Sequence, residues 1–143
     1  DQHFATEGFE FRIGRAQLVA DGDDGAIIGM GLGTAWALES LEVLRQAGRS
    51  LSLLDVPTLK PIDRDAIIAV ASRHRTVFTI ENHSTIGGLA SAVSEVIAAA
   101  GLGVRVVPFG VPDTWAPAGS IDYVRAGLGL TAEAIASRIR AEG

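Results

Sequence analysis

The spacing of hydrophobic residues changes repeatedly along the chain, and this change predicts the fold. Five stretches suggest strands, and the last four of them are almost continuously apolar, as is typical of strands covered on both faces. The predicted strands are residues 16–20, 26–30, 51–56, 77–81 and 104–109. Between them, apolar residues return every three or four positions, as in helices packed on a sheet. The alternation predicts βαβ units and a mostly parallel sheet.

Polar residues mark where several predicted helices begin. An apolar stripe starts at Leu89 and continues with helical spacing towards residue 100. Asp63, Ser120 and Thr131 each stand immediately before a short periodic stretch, where a side-chain oxygen can accept a hydrogen bond from the first helical turn. Residues 110–119 contain two prolines and are expected to form a surface connection.

Length and composition indicate one globular domain. The chain has 143 residues, of which 48% are hydrophobic and 20% charged. We expect an N-terminal arm or linker over residues 1–14 and a single domain over residues 15–143. The longest uncharged stretch, residues 25–38, is shorter than the ~20 residues of a membrane-spanning helix.

Charge and cysteine content exclude other classes of protein. The net charge is −5, and the basic residues are scattered, which argues against a nucleic-acid-binding surface. The chain has no cysteine, so it has no disulfide framework and no thiolate metal site. This composition fits the reducing cytoplasm.

A glycine-rich turn after the second predicted strand is similar to a dinucleotide-binding fingerprint. Gly29, Gly31 and Gly33 are spaced by two, and Asp55 follows about 20 residues later, where such sites place an acid for the ribose. The third glycine comes one position early, however, and Thr34 takes its place. A strand-to-helix turn that needs a permissive backbone is the favoured interpretation, and a nucleotide or anion at residues 29–34 is the alternative.

Four polar residues lie at or just beyond the ends of three predicted strands. A parallel sheet would bring Asp55, Glu81, His83 and Asp113 to one edge, although polar residues also gather where strands simply meet solvent. Glu81 and His83 are two positions apart and could point to one side as a metal pair or an acid–base pair. Because no third ligand recurs at metal-site spacing, we do not expect a metal.

Six segments, taken in order, carry a likeness to a known family: "IGRAQLVADGDD", "IIGMGLGTAWALESLEVLRQAG", "LLDVPTLKPID", "VFTIENHSTIGGLASAVSEVI", "FGVPDTWAPAGS" and "LGLTAEAIA". Together they resemble the C-terminal domain of transketolases. The resemblance is closest to the C-terminal section that some organisms make as a separate small subunit, and it extends from about Phe11 to the end. The wider family includes deoxyxylulose phosphate synthase and the beta subunits of 2-oxo acid dehydrogenases.

The resemblance implies a fold and a parent enzyme. The fold would be a three-layer α/β/α domain, with a five-stranded, mostly parallel sheet and one antiparallel edge strand at residues 16–20. The parent enzyme would use thiamine diphosphate and Mg²⁺ to move a two-carbon ketol unit between sugar phosphates. The partners would be the thiamine-binding domains or the N-terminal subunit of the same enzyme, in an assembly that is a homodimer.

The same resemblance implies that this domain carries no catalytic or thiamine-binding residues. "GDDG" at residues 22–25 is similar to the diphosphate-binding signature, but it lacks the asparagine that the family places roughly thirty residues later. We expect a structural or interface role for the strand-end edge, with no cofactor and no metal in this domain. The interface or ligand-edge candidates are Gly31, Asp55, Glu81, Asn82, His83 and Asp113.

Two alternatives to a transketolase section remain. One is a stand-alone interaction or regulatory module that binds a nucleotide or anion at the turn of residues 29–34. The other is the C-terminal domain of a 2-oxo acid dehydrogenase beta subunit, although "PDTWAPAGS" and "GLTAEAIA" are more similar to transketolase.

Overall fold

The computed structural model describes residues 10–143, so residues 1–9 of the predicted arm lie outside the described residues. Within residues 10–143, five strands and five helices follow one another along the chain. The strands are β1 (Gln17–Asp23), β2 (Ala26–Gly29), β3 (Leu51–Asp55), β4 (Thr76–Ser84) and β5 (Arg105–Val111). The helices are α1 (Leu32–Gln46), α2 (Arg64–Ala71), α3 (Leu89–Ala99), α4 (Ile121–Gly127) and α5 (Ala132–Glu142).

The strands form one sheet in the order β1-β3-β2-β4-β5. β1 runs antiparallel to β3 at one edge, and the other neighbouring strands are parallel. The predicted mostly parallel sheet with one antiparallel edge strand is therefore confirmed. β1 continues to Asp23, beyond the predicted end at Ala20, because its pairing with β3, although its register shifts after Leu18 and again after Ala20, extends to Asp23 opposite Leu51. An edge strand can carry acids there because it is partly open to solvent.

Helices cover both faces of the sheet and bury two separate hydrophobic layers. On one face, α1 and α5 pack over Phe78 and Ile80, which are 1% and 0% exposed. On the other face, α2 and α3 pack over Ile28 and Val77, both 0% exposed. Burying a side chain of this size contributes roughly 1.5–3 kcal/mol. The two layers account for the near-continuous apolar runs in the central strands.

Three predicted helix caps are confirmed. The side chains of Asp63, Ser120 and Thr131 accept hydrogen bonds from backbone amides in the first turns of α2, α4 and α5, at 3.1, 3.3 and 3.3 Å. Asp63 also accepts a hydrogen bond from the Ala16 amide at 2.9 Å. This second bond fixes the start of the domain against α2.

β4 is longer than the predicted strand 77–81. Its pairing with β5 shifts after Ile80 and resumes where Ser84 lies opposite Val111. The Thr85 amide then donates to the Val111 carbonyl at 2.9 Å. His83 consequently lies within a strand rather than in the loop that follows one.

The outer strand β5 contains Pro108, which has no backbone N–H. The Pro108 carbonyl accepts a hydrogen bond from the Arg138 guanidinium of α5 at 3.2 Å. The same guanidinium lies 4.7 Å from the ring centroid of Phe109. Helix α5 is thereby tied to this edge of the sheet.

Within residues 10–143, no helix combines the length and the apolar character needed to cross a bilayer.

Candidate functional site

A cleft of about 380 Å³ lies at the carboxyl ends of β2 and β4. The strand order reverses here, since β3 lies on one side of β2 and β4 on the other. Open α/β sheets place ligand sites or partner contacts at such points. Four predicted candidates line the cleft: Gly31, Glu81, Asn82 and His83. The other lining residues are Met30, Leu59, Gly87 and Gly88.

The carboxylate of Glu81 closes the N-terminus of α3. Its two oxygens accept hydrogen bonds from the amides of Leu89 at 2.7 Å and Ala90 at 3.0 Å. Glu81 is only 3% exposed, and the positive end of the helix dipole compensates its negative charge. Both oxygens are thus held by the backbone, which leaves Glu81 poorly placed for proton transfer.

Gly88 stands immediately before α3, at the position whose side chain commonly caps the start of a helix. A Cβ added at Gly88 would lie 2.9 Å from the Glu81 carboxyl carbon and 2.7 Å from the Ser84 carbonyl oxygen. The Glu81 carboxylate and a side chain at Gly88 would therefore compete for the same space. Glycine at this position lets the acid of β4 supply the cap.

The exposed polar surface of the cleft comes from Asn82 and His83. The His83 side chain is 67% exposed, and its Nδ1 lies 3.0 Å from the Ser84 carbonyl oxygen. The same nitrogen is 4.0 Å from Glu81 Oε2, so the two side chains lie next to each other, as their spacing suggested. In the part of the chain that the structure describes, no three His, Asp or Glu side chains are grouped to hold a metal ion.

Asp55 is buried under the start of α1 and does not line the cleft. Its Oδ1 accepts a hydrogen bond from the Thr34 hydroxyl at 2.5 Å, and the residue is 8% exposed. Burial raises the pKa of the Asp55 carboxyl, and the Thr34 hydrogen bond partly opposes this shift. A carboxylate in this position disfavours an anion bound at the same helix start.

The glycines of the fingerprint-like turn allow α1 to approach the sheet closely. A Cβ on Gly29 would lie 2.8 Å from the Thr34 Cα, and one on Gly33 would lie 2.6 Å from the Ile80 carbonyl carbon. The Gly33 amide already donates to the Met30 carbonyl at 2.9 Å. This geometry favours the packing interpretation of the turn over nucleotide binding.

The acids of residues 21–24, which overlap the "GDDG" segment, are part of the junction between β1 and β3. The Asp21 carboxylate pairs with Arg73 at 2.7 Å, and hydrogen bonds from Arg73 and then Ser52 hold the pKa of Asp21 below its usual value. Asp23 lies 3.3 Å from the same guanidinium. The Asp24 carboxylate accepts from the Ser50 amide at 2.7 Å. These acids already have partners within the fold.

Asp113 is exposed in the loop after β5 and does not line the cleft. The predicted candidates did not include the residues that complete the cleft, which are Met30, Leu59, Gly87 and Gly88. The sequence does contain a signal for Gly88. A helix that begins after two glycines has no side chain of its own to cap it, so its first amides need a hydrogen-bond acceptor from elsewhere in the chain.

Comparison with known proteins gives a consistent result. The family described as "Transketolase, C-terminal domain" matches residues 14–135. The putative transketolase C-terminal section of Methanocaldococcus jannaschii is 38% identical over 132 residues, which are 92% of this chain and 41% of that protein. The 1-deoxy-D-xylulose-5-phosphate synthase of Carboxydothermus hydrogenoformans is 34% identical over 128 residues, 90% of this chain and 21% of that protein. The chain therefore spans less than half the length of these curated relatives.

Solved structures agree with these matches. A split-gene transketolase, described as an inactive β4 tetramer, is similar with a TM-score of 0.86 and 33% identity, over 95% of this chain and 44% of that one. A transketolase from Pichia stipitis has a TM-score of 0.69 over 88% of this chain and 17% of that one. Its identity is 18%, so that likeness shows the fold alone.

Proposed function

Because this chain belongs to the transketolase C-terminal domain family, we propose that it serves as the C-terminal section of a transketolase. Such an enzyme moves a two-carbon ketol unit between sugar phosphates, and the working assembly would be a dimer. The observation that carries the proposal is the TM-score of 0.86 to a split-gene transketolase over 95% of this chain. The 38% identity to a transketolase C-terminal section supports it.

In this proposal, thiamine diphosphate and Mg²⁺ are held by the other domains of the enzyme. The described residues do not fit that cofactor, because the acids of the segment that is similar to the diphosphate-binding signature, residues 22–25, are used inside the fold. Asp23 pairs with Arg73 at 3.3 Å, and Asp24 accepts a hydrogen bond from the Ser50 amide at 2.7 Å. We therefore assign no catalytic or cofactor-binding residue to residues 10–143.

The cleft at the ends of β2 and β4 is the proposed contact with the neighbouring catalytic domain or subunit. Asn82 and His83 offer exposed hydrogen-bonding groups there, beside the open backbone of Gly31. Glu81 supports this surface from beneath, because its carboxylate fixes the start of α3. Asp55 would act indirectly by holding α1, whereas the location of Asp113 gives no support for a role in this contact.

The proposal is tested by reconstitution with the thiamine-binding section from the same organism. Mixing the two sections should produce thiamine-dependent ketol transfer, whereas the 143-residue chain alone should have none. Absence of activity in the mixture would contradict the proposed function.

The interface part of the proposal has its own test. His83→Ala should weaken association at least about fivefold, since interface side chains that matter contribute about 1 kcal/mol or more. Glu95→Ala, an exposed residue of α3 outside the cleft, is the matched control. Unchanged association and turnover for His83→Ala would refute the interface.

A second candidate is the C-terminal part of a 1-deoxy-D-xylulose-5-phosphate synthase. The 34% identity over 90% of this chain to the Carboxydothermus hydrogenoformans enzyme favours it. The same reconstituted enzyme, supplied with pyruvate and glyceraldehyde 3-phosphate, separates the two candidates by its product.

A further inference from the structure

Residues 112–127, which include α4, lie on the outside of the domain with little burial. Every residue from 112 to 123 is exposed, Trp115 by 97%, and no residue of α4 is buried. The segment is fixed at both ends: Val111 pairs with Ser84 in the sheet, and Leu130 is 2% exposed in the core. Segments with few buried apolar contacts open at a lower free energy than the core.

Arg125 makes the principal polar attachment of this segment to the body. Its guanidinium forms an ion pair with Glu39 of α1 and lies 5.1 Å from the ring centroid of Trp36. Its Nε also donates to the Leu130 carbonyl at 2.7 Å. The Arg125 side chain is only 15% exposed, so these contacts are largely shielded from solvent.

A second cleft, of about 140 Å³, lies under α4. Asn82 lines this cleft and also the larger one at the ends of β2 and β4. The rest of its lining is mostly apolar: Trp36, Val111, Ile121, Val124, Arg125, Leu128 and Leu130. Moving α4 outward would leave Asn82 between two open clefts.

We propose that residues 112–127 form a hinged flap, latched to α1 through Arg125, whose opening joins the two clefts on either side of Asn82. The hinge on the C-terminal side is Gly129, which ends α4 with a left-handed φ of 68°. The amides of Gly129 and Leu130 donate there to the carbonyls of Ala126 and Arg125, at 3.1 and 2.9 Å, and the Leu130 bond is released when the flap opens. The flap regulates how much apolar surface is offered beside Asn82.

Native-state hydrogen exchange on the 143-residue chain tests the flap directly. The amides of Val124 and Leu128, which bond within and next to α4, should exchange at least about 100-fold faster than the amides of β2 and β4. Their exchange should depend little on low concentrations of urea, because flap opening exposes little surface. Exchange of flap and strand amides at one common rate would overturn the proposal.

Glu39→Gln tests the latch, because it removes the charge that Arg125 pairs with. Flap amides should then exchange at least about threefold faster, while strand amides should be unaffected. Glu42→Gln is the matched control, since Glu42 lies on the same helix and pairs with Arg45 instead. Equal acceleration of all amides in Glu39→Gln would mean general destabilisation and would contradict a latch.

Trp36 provides an independent measurement of opening. In a Trp115→Phe background, Trp36 is the only tryptophan, and it is 7% exposed. Adding Glu39→Gln should make Trp36 more accessible to acrylamide, and an unchanged constant for the quenching of its fluorescence would count against the flap.

These measurements need no partner section, so a failure of reconstitution and a failure of the flap are separate outcomes. Only the role of Asn82 in contacting the partner section rests on the proposed function.

Discussion

The carboxylate of Glu81 occupies the space in front of Gly88, at the point where α3 begins. The acid is in β4 and caps a helix that starts eight residues later in the chain. Because both carboxylate oxygens are bound to backbone amides, the strand, the loop and the helix are fixed relative to one another. The exposed face of the cleft, with Asn82 and His83, is therefore held on a rigid base.

Removing this carboxylate should destabilise the domain. Glu81→Ala leaves the amides of Leu89 and Ala90 without their acceptor, and we expect the free energy of unfolding to fall by about 2–3 kcal/mol. Glu81→Gln keeps one amide oxygen as an acceptor and should cost about 1 kcal/mol. Urea unfolding at neutral pH measures both values. Equal stability of the alanine variant and the natural chain would show that the cap contributes nothing.

A side chain at Gly88 should act through Glu81. Gly88→Ala should cost about 1–3 kcal/mol of unfolding free energy, because the methyl group displaces the carboxylate. In a Glu81→Ala background the same change should cost less, and a double-mutant cycle measures the coupling. Gly103→Ala is the control, since no atom lies within 4 Å of its Cβ position. Strict additivity would contradict the proposed competition for space.

Asp55 should make the free energy of unfolding fall as pH rises through the raised pKa of its carboxyl. Burial raises the pKa of Asp55 in the folded chain above the usual 3.8, which we take for the unfolded chain. At pH values between 3.8 and the raised pKa, the folded chain therefore binds more protons than the unfolded chain. The contribution of Asp55 to the unfolding free energy therefore falls as pH rises through this window and is constant above it.

Asp55→Asn removes this titration and keeps an acceptor for the Thr34 hydroxyl. Relative to this variant, the natural chain should lose stability as pH rises from 3.8 through the raised pKa of Asp55, and the difference should be constant at higher pH. Urea unfolding of both chains across that range measures the difference, which cancels the contributions of the other carboxyls. A constant difference would mean that the pKa of Asp55 is the same in both states.

The turn of residues 29–34 should not bind nucleotides. Its glycines are used for contact between α1 and the sheet, and the Asp55 carboxylate lies beneath it. A ligand present at 100 times its Kd would stabilise the fold by about 2.7 kcal/mol, which is readily seen as a higher Tm. Thermal unfolding with NAD, ADP or inorganic phosphate should therefore give an unchanged Tm. A saturable rise with any of them would revive the module hypothesis.

The architecture could be predicted because its causes are local. The strands follow from apolar runs, and the caps follow from oxygen-bearing residues such as Asp63 and Thr131 at helix starts. Even the antiparallel edge strand was predicted, although through the resemblance rather than through its spacing. Its true end at Asp23 was missed, because pairing with β3 overrides the weak strand preference of acidic residues.

The arrangement of the site could be predicted only in part. Gly31, Glu81, Asn82 and His83 are close in the fold because two neighbouring parallel strands end there. Asp55 lies on a third strand, but its side chain turns under α1, which strand order alone does not specify. The capping contact of Glu81 also depends on the path of the loop before α3, and no short-range pattern encodes that path.

Pro108 and Arg138 have a consequence for how copies of this molecule behave towards each other. A strand at the margin of a sheet is a template for foreign strands when its amides and carbonyls are free. At Pro108 the amide hydrogen does not exist, and the carbonyl is already bound by Arg138. The β5 side of the molecule is thereby protected against edge-to-edge polymerisation into fibrils.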